Sequence, residues 1–329
     1  MAGKKLLIPM VALALLVVSC GPGGNAGQPV KIKVGVSHYA YVIGHYRAMT
    51  EGIKDEAKKF GWDVVVVDSG FSPEKQVSQI ENLIAQHVNI ILASPGDKQA
   101  LVPAYLAAKR AGVPIFSLGN EVAPPGDQNQ LTWVGIQWDP FGVKRAQAIV
   151  DRLRGKGKVI LIRGPSGVDF VQQITVGMNR VWQQNPGIQI VTNQFATDFT
   201  PAVSLRLAED ALTAHPDADL IYVEDDGQVP GVVQAIRERG IPAGKILIQS
   251  SGGQADAMQL IRSGALDATY AVHSYGWGVS IMEAAKNYLV GGKKPPPFIA
   301  GSYTVVNSGN VDDYLTVCQQ FPKEISCAP

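Results

Sequence analysis

Short, unbroken apolar runs alternate with stretches of helical spacing along most of the chain. In the first half the runs are KIKVGVS, WDVVVVDSG, NIILASPGD and VPIFSLGN; in the second they are KVILIRGPSG, IQIVTNQF, ADLIYVEDDG and KILIQSSGG. Continuous apolarity marks strands covered on both faces, and nearly all the runs close on Gly, Ser, Asp or Asn, as turns do. Between them lie helical stretches such as SPEKQVSQIENLIAQH, where Ser72 suits the N-cap and Pro73 the first turn. Alternating strand and helix implies parallel sheets with right-handed crossovers. LTWVGI (131–136) closes the first series and LDATYAV (266–272) the second; a late helix, three prolines (Pro295, Pro296, Pro297) and a last strand, SYTVV, follow.

The two series correspond in order and spacing. They predict an α/β protein of two similar doubly wound lobes. In open parallel sheets, ligands sit beyond the carboxyl ends of the strands. Two such lobes facing each other form a cleft lined from both sides. The segment after Val36 is crowded with rings (His38, Tyr39, Tyr41, His45, Tyr46) and is read as a loop at one such strand end. Gly119–Asn120, Asp225–Asp226 and Ser250–Ser251 fall at others.

The ends of the chain change the picture. Lys4 and Lys5 precede the short apolar core LLIPMVALALLVV, so residues 1–19 read as an export signal outside the fold. The VVSC that follows resembles the bacterial lipobox, in which the cysteine becomes lipidated; this makes Cys20 the expected lipid anchor. Residues 20–29, GPGGNAGQP after the cysteine, form a flexible tether. Their glycines precede the first strand instead of following one, which excludes a dinucleotide fingerprint. With Cys20 lipidated, the remaining cysteines are Cys318 and Cys327, and an oxidising compartment favours their pairing in a tail of residues 316–329.

The 329 residues are 46% hydrophobic with a formal net charge of +1. That is ample for more than one core. Near-neutral charge without a Lys/Arg stripe argues against a nucleic-acid partner. There is no phosphate loop, GPSG does not complete a nucleophile elbow, and no Cys/His pair stands out, so an enzyme is not expected. No cofactor or metal is expected either, although His38, His45 and His273 could all approach the cleft.

The stretch from VGVS through HYRAMTEGIKDEAKKFGWDVVVVDSGFSPEKQVSQIENLIAQHVNIILASPGDKQALVPAYLAAKRAGVPIFSLGN resembles the ribose/galactose-type periplasmic binding proteins, solute receptors of ATP-binding-cassette importers. DALTAHPDADLIYVEDDGQVPGVVQAIRERG resembles their second lobe. The resemblance covers about residues 30–315. It implies a type I periplasmic binding protein whose lobes are joined by a three-segment hinge near Ile136–Trp138, Val272–His273 and Gly301–Ser302. The N-terminal lobe would be 30–137 plus 273–301 and the C-terminal lobe 138–272 plus 302–315. A lactose-repressor-type regulator shares this core, but an export signal stands where its DNA-binding unit belongs.

By the same resemblance, Tyr46 and Phe199 match aromatics that stack on a sugar, and His45 stands where another aromatic is frequent. Gly119 replaces an Asp that binds hydroxyls, Asn120 an Arg, and Gln172 a second Arg. Asp225 matches an Asn or Asp, Ser251 replaces a frequent Asp, and Val272 a polar amide. The expected ligand set is Tyr39, His45, Tyr46, Asn120, Trp138, Gln172, Phe199, Asp225, Ser251 and His273. Rings beside neutral hydrogen-bonders and a carboxylate suit a small neutral sugar or polyol. The missing arginines disfavour an anion, with Arg163 the one cation that could reach the cleft; a cationic or nucleoside-like ligand is second. Asp226 is expected to cap the helix near Val229. The implied partners are the small molecule, the importer's permease or a membrane sensor, and the membrane through the lipid. The expected form is a monomer, exported and anchored to the bacterial cell membrane.

Overall fold

The computed structural model describes residues 31–320, with side chains to residue 316. The first sheet holds β1 (Lys33–His38), β2 (Asp63–Asp68), β3 (Ile90–Ser94), β4 (Ile115–Leu118), β5 (Gln130–Gly135) and β11 (Phe298–Ala300). The second holds β6 (Gly157–Arg163), β7 (Ile188–Phe195), β8 (Leu220–Val223), β9 (Leu247–Gly252), β10 (Ala268–Val272) and β12 (Tyr303–Asn307). Their orders, β11-β5-β4-β3-β1-β2 and β12-β10-β9-β8-β6-β7, are the same topology used twice. All pairings among these strands are parallel except β10 with β12.

Helices α1 (Gly44–Phe60), α2 (Pro73–Ala85) and α3 (Val102–Arg110) belong to the first series. Helices α4 (Trp138–Arg152), α5 (Asp169–Gln184), α6 (Pro201–Ala214), α7 (Val229–Glu238) and α8 (Ala255–Arg262) belong to the second, before α9 (Ser274–Leu289) and α10 (Val311–Gln320). Ser72 caps α2 by accepting from the Lys75 amide, with Pro73 in the first turn, as its sequence predicts. The chain leaves the first sheet after Gly135, returns after Val272, and crosses again between Ala300 and Tyr303.

Three expectations are corrected. His45 and Tyr46 lie not in a loop but in the first turn of α1, and His38 is inside β1. The edge strands β2 and β7 are only half-buried, because a neighbour covers them on one side. Strand β11 has no counterpart among the apolar runs: three residues after a proline run carry almost no periodic signal.

Close helix packing sets the geometry at the strand ends. A Cβ on Gly52 would lie 2.3 Å from the Tyr275 carbonyl oxygen, and one on Gly278 2.1 Å from that of Met49, so α1 and α9 touch backbone to backbone. Gly142 and Gly177 do the same for α4 and α5, at 2.3 Å from the Ile174 oxygen and 2.1 Å from the Asp139 oxygen. These pairs fix the N-termini of α1 and α5. A continuous buried cluster joins them, running from Met49 and Trp277 through Trp138 to Phe141 and Ile174.

Candidate functional site

A narrow cavity of about 40 Å³ lies where the carboxyl ends of the two sheets meet. From the first sheet's side come His45 and Tyr46 on α1, and Gly119 and Asn120 after β4. From the second come Phe170 and Ile174 on α5, Glu224 and Asp225 after β8, and Ser251 on β9. Trp138 opens α4 at the crossing between sheets, and its Nε1 donates to the Gly119 carbonyl at 2.7 Å. Gly119 takes φ +78, which turns that carbonyl toward the indole without the strain a side chain would add.

The rings form a connected wall. His45 lies 5.0 Å edge-on to Trp277 and 5.1 Å from Tyr46; Trp138 lies 5.3 Å from Phe170. His45 Nδ1 is 2.5 Å from Ser274 Oγ, tying α1 to the start of α9. Burial lowers the His45 pKa to about 4, so the ring is neutral at physiological pH. His38 is neutral for the same reason, at about 3, its nitrogens bonded to Ser94 and Thr50 below the cavity.

Asn120 donates through Nδ2 to the Pro95 carbonyl at 2.9 Å, while its buried Oδ1 has no hydrogen-bond partner among the described residues. Asp225 accepts at Oδ1 from the Gly227 amide (2.9 Å) and from Gln254 Nε2 (3.0 Å). Burial, and then the neighbouring charge of Asp226, push its pKa up to about 7. The capping expectation is therefore reversed. Asp225 caps the short turn at Asp226–Gln228, whereas Asp226 accepts from Ser250, from Thr269 Oγ1 at 2.7 Å, and from the Gly253 and Gln254 amides at 2.6 and 3.0 Å. The sequence shows two adjacent carboxylates, and only the turn geometry decides which one faces inward.

Of the ten expected ligand residues, His45, Tyr46, Asn120, Trp138, Asp225 and Ser251 line the cavity. The other four lie around it. Tyr39 packs edge-on to Phe71 and over Gly96. Gln172 is exposed and donates to the Ser166 carbonyl at 2.8 Å. Phe199 stacks on Phe170 at 6.0 Å and lines an adjoining cavity that also touches Ile43 and Asp225. His273 bonds Ser302 Oγ and Thr304 Oγ1 at 2.9 and 3.0 Å, bracing the crossing to β12. Phe170, Ile174 and Glu224 line the cavity without being in the expected set. Glu224 carries a sequence signal, a charge at the end of an unbroken apolar run, and Phe170 and Ile174 share a helix face at i and i+4.

Arg163 does not project into the cavity; it is fully buried beneath it. Its Nε contacts Asn193 Oδ1 at 3.3 Å and its Nη1 lies 3.2 Å from Met178 Sδ. Arg145 stacks on Tyr222 at 4.2 Å and reaches Glu224 Oε1 at 3.3 Å. Two arginines thus balance Glu224 from behind. Across the cleft, Lys98 Nζ stands 2.7 Å from Asp169 Oδ1, close enough for Coulombic attraction but outside hydrogen-bond angles. Among the described residues no group of three metal-ligating side chains occurs. Cys20 and Cys327, and the side chain of Cys318, lie outside the described residues.

A family model described as "Periplasmic binding protein domain" matches residues 34–294. The chain is 29% identical over 270 residues to the ribose import binding protein RbsB of Bacillus subtilis, covering 82% of this chain and 85% of that protein. In structure it is similar to a periplasmic ribose ABC transporter protein from Conexibacter woesei, with TM-score 0.78, 28% identity, and 91% and 99% of the two chains covered. The arabinose ABC transporter binding protein of Shewanella sp. ANA-3, bound to α- and β-L-arabinofuranose, matches with TM-score 0.82 and 27% identity over 88% and 97%.

Proposed function

The chain belongs to the periplasmic binding protein family, a family of binding proteins and not of enzymes, and on that premise we propose that it captures a small neutral sugar or polyol outside the cytoplasm and delivers it to an ATP-binding-cassette permease. The proposed lobes are 30–137 plus 273–301 and 138–272 plus 302–315, closing about the three crossings so that the permease meets the closed form. Ribose and arabinose in the names of similar proteins support the ligand class.

The observation that carries this reading is the charge balance of the cavity wall. Asp226 is saturated by four donors, and Glu224 is offset by Arg145 and Arg163, so neither offers uncompensated charge to a cation. Asn120 and exposed Gln172 stand where arginines would hold an anion. What remains is a set of rings for C–H faces, with Asn120 Oδ1 and Asp225 as acceptors for hydroxyl hydrogens.

A thermal-shift screen of the purified protein against sugars, polyols, nucleosides and amines tests the reading. A ligand at a hundred times its Kd stabilises the fold by about 2.7 kcal/mol. A shift from nucleosides or amines alone would reject a sugar or polyol. Cys20 is proposed as the lipidated mature N-terminus; mass spectrometry of membrane-extracted protein showing an unmodified Cys20 would refute it. A Cys318–Cys327 disulfide is proposed for the tail, and two reactive thiols per denatured chain would refute that.

A further inference from the structure

The polar cluster beneath the cavity is incompletely used. Arg163 and Glu224 are both fully buried, at the carboxyl ends of the adjacent strands β6 and β8. Glu224 is held on one oxygen only. Oε1 accepts from Tyr222 Oη at 2.5 Å and from Arg145 at 3.3 Å. Oε2 has no hydrogen-bond partner among the described residues, and neither has Arg163 Nη2. The two side chains stand close, Oε2 to Nη1 at 4.0 Å, yet beyond hydrogen-bond length. Glu224 also lines the cavity that holds Asn120 and Asp225. A buried charged atom left without a partner is costly, and here the open acceptor belongs to a residue that lines the cavity.

Building on the sugar or polyol reading, we infer that Glu224 is a specificity residue that receives one hydroxyl of the ligand, its Oε2 accepting the hydroxyl hydrogen while Arg163 behind it holds the carboxylate in place. A hydroxyl donates a hydrogen without bringing a charge, which matches the open oxygen of Glu224. A carboxylate on the ligand would face Glu224; an ammonium would meet a carboxylate whose charge Arg145 and Arg163 already offset from behind. The floor therefore selects a hydroxyl over either charged group. It also discriminates between sugars of the same size, because a ligand lacking this hydroxyl leaves the buried Glu224 oxygen open.

The test is calorimetry on the parent and on Glu224→Gln with D-ribose, L-arabinose, D-allose, xylitol and myo-inositol, followed by the monodeoxy forms of whichever binds tightest. Glu224→Gln should weaken the tightest binder roughly tenfold or more. One monodeoxy form, lacking the hydroxyl at the floor, should bind parent and variant within about twofold. A purely structural role would weaken every deoxy form equally, and that result overturns the inference, as does binding by Glu224→Gln within about twofold of the parent. Should Glu224→Gln not fold, Glu224→Asp, which keeps the charge and withdraws the oxygen, is measured with the same deoxy series, and the same two results support or overturn the inference. If none of the five compounds binds the parent, the sugar or polyol reading fails and this inference with it. If one binds without coupling to a single hydroxyl, only the inference fails.

Discussion

Replacing Asp225 by asparagine separates charge from shape at the cavity wall. In the parent, Oδ1 is engaged by Gly227 and Gln254, so the oxygen left for the proposed ligand is Oδ2 of a carboxylate whose pKa is raised to about 7 by burial and by Asp226. Hydroxyls donate best to the ionised form. If that form binds, affinity at pH 6 should be about tenfold below its alkaline plateau, one pKa unit being a factor of ten. His45 at about 4 and His38 at about 3 stay neutral across this range and contribute no slope. Stability without ligand runs the other way. The folded pKa lies above the unfolded one, so Asp225 favours folding below about pH 4. That contribution is lost as pH rises through about 7. Asp225→Asn should flatten the binding profile and raise unliganded stability at pH 8, since repulsion from Asp226 is relieved. Asp225→Ala should lose about 1.5–3 kcal/mol of binding, tenfold to more than a hundredfold, and a turn cap of about 1 kcal/mol as well. The assay is titration calorimetry from pH 5.5 to 8.5 with the sugar or polyol found by screening. An Asp225→Asn profile as steep as the parent's, or Asp225→Ala binding within about twofold, would refute the placement of this carboxylate against the ligand.

Lys98→Ala removes the attraction to Asp169 across the cleft. It should raise the ligand dissociation rate several-fold, about 1 kcal/mol, with less effect at high salt, as stopped-flow tryptophan fluorescence would show. Gly278→Ala forces a methyl against the Met49 carbonyl; denaturant unfolding should show a loss of about 1–3 kcal/mol, with weaker binding because α1 carries His45 and Tyr46. Trp138→Phe keeps a ring but loses the 2.7 Å bond to Gly119, and calorimetry should find affinity lower by about 0.5–1.5 kcal/mol.

How far the sequence discloses this molecule depends on the type of signal. Every described strand but β11, and the doubled topology, follow from apolar runs and turn residues: the central strands are buried on both faces and have nowhere to place polar side chains, and the half-buried edges β2, β7 and β12 still keep enough apolar positions to be read. Strand β11 escapes because three residues cannot show a period. At the site, residues fixed by a strand end, such as Asn120 and Asp225, are legible. Those whose position depends on where a helix begins are legible only in part: His45, Tyr46 and Trp138 reach the cavity wall, and Tyr39 does not. Tyr39 and Tyr46 look alike in sequence, yet one packs over Gly96 and the other lines the cavity, because α1 starts at Gly44. Gln172 matches a ligand position by resemblance but points outward, while Phe170 and Ile174 of the same helix face the cavity. The division of labour between Asp225 and Asp226 rests on hydrogen bonds to β9, β10 and the Gly253 turn that no local pattern encodes.

Capture of a neutral polyhydroxylated ligand is tested most directly by titrating the purified protein with neutral, acidic and basic polyhydroxylated compounds of similar size. D-Ribose, D-allose, xylitol and myo-inositol would be compared with a sugar acid and an amino sugar, D-gluconate and D-glucosamine. One neutral member should bind at a single site with Kd well below about 1 mM, or −4.1 kcal/mol, and both charged members should be far weaker. Tight binding of gluconate or glucosamine, with no neutral member binding, would contradict the account.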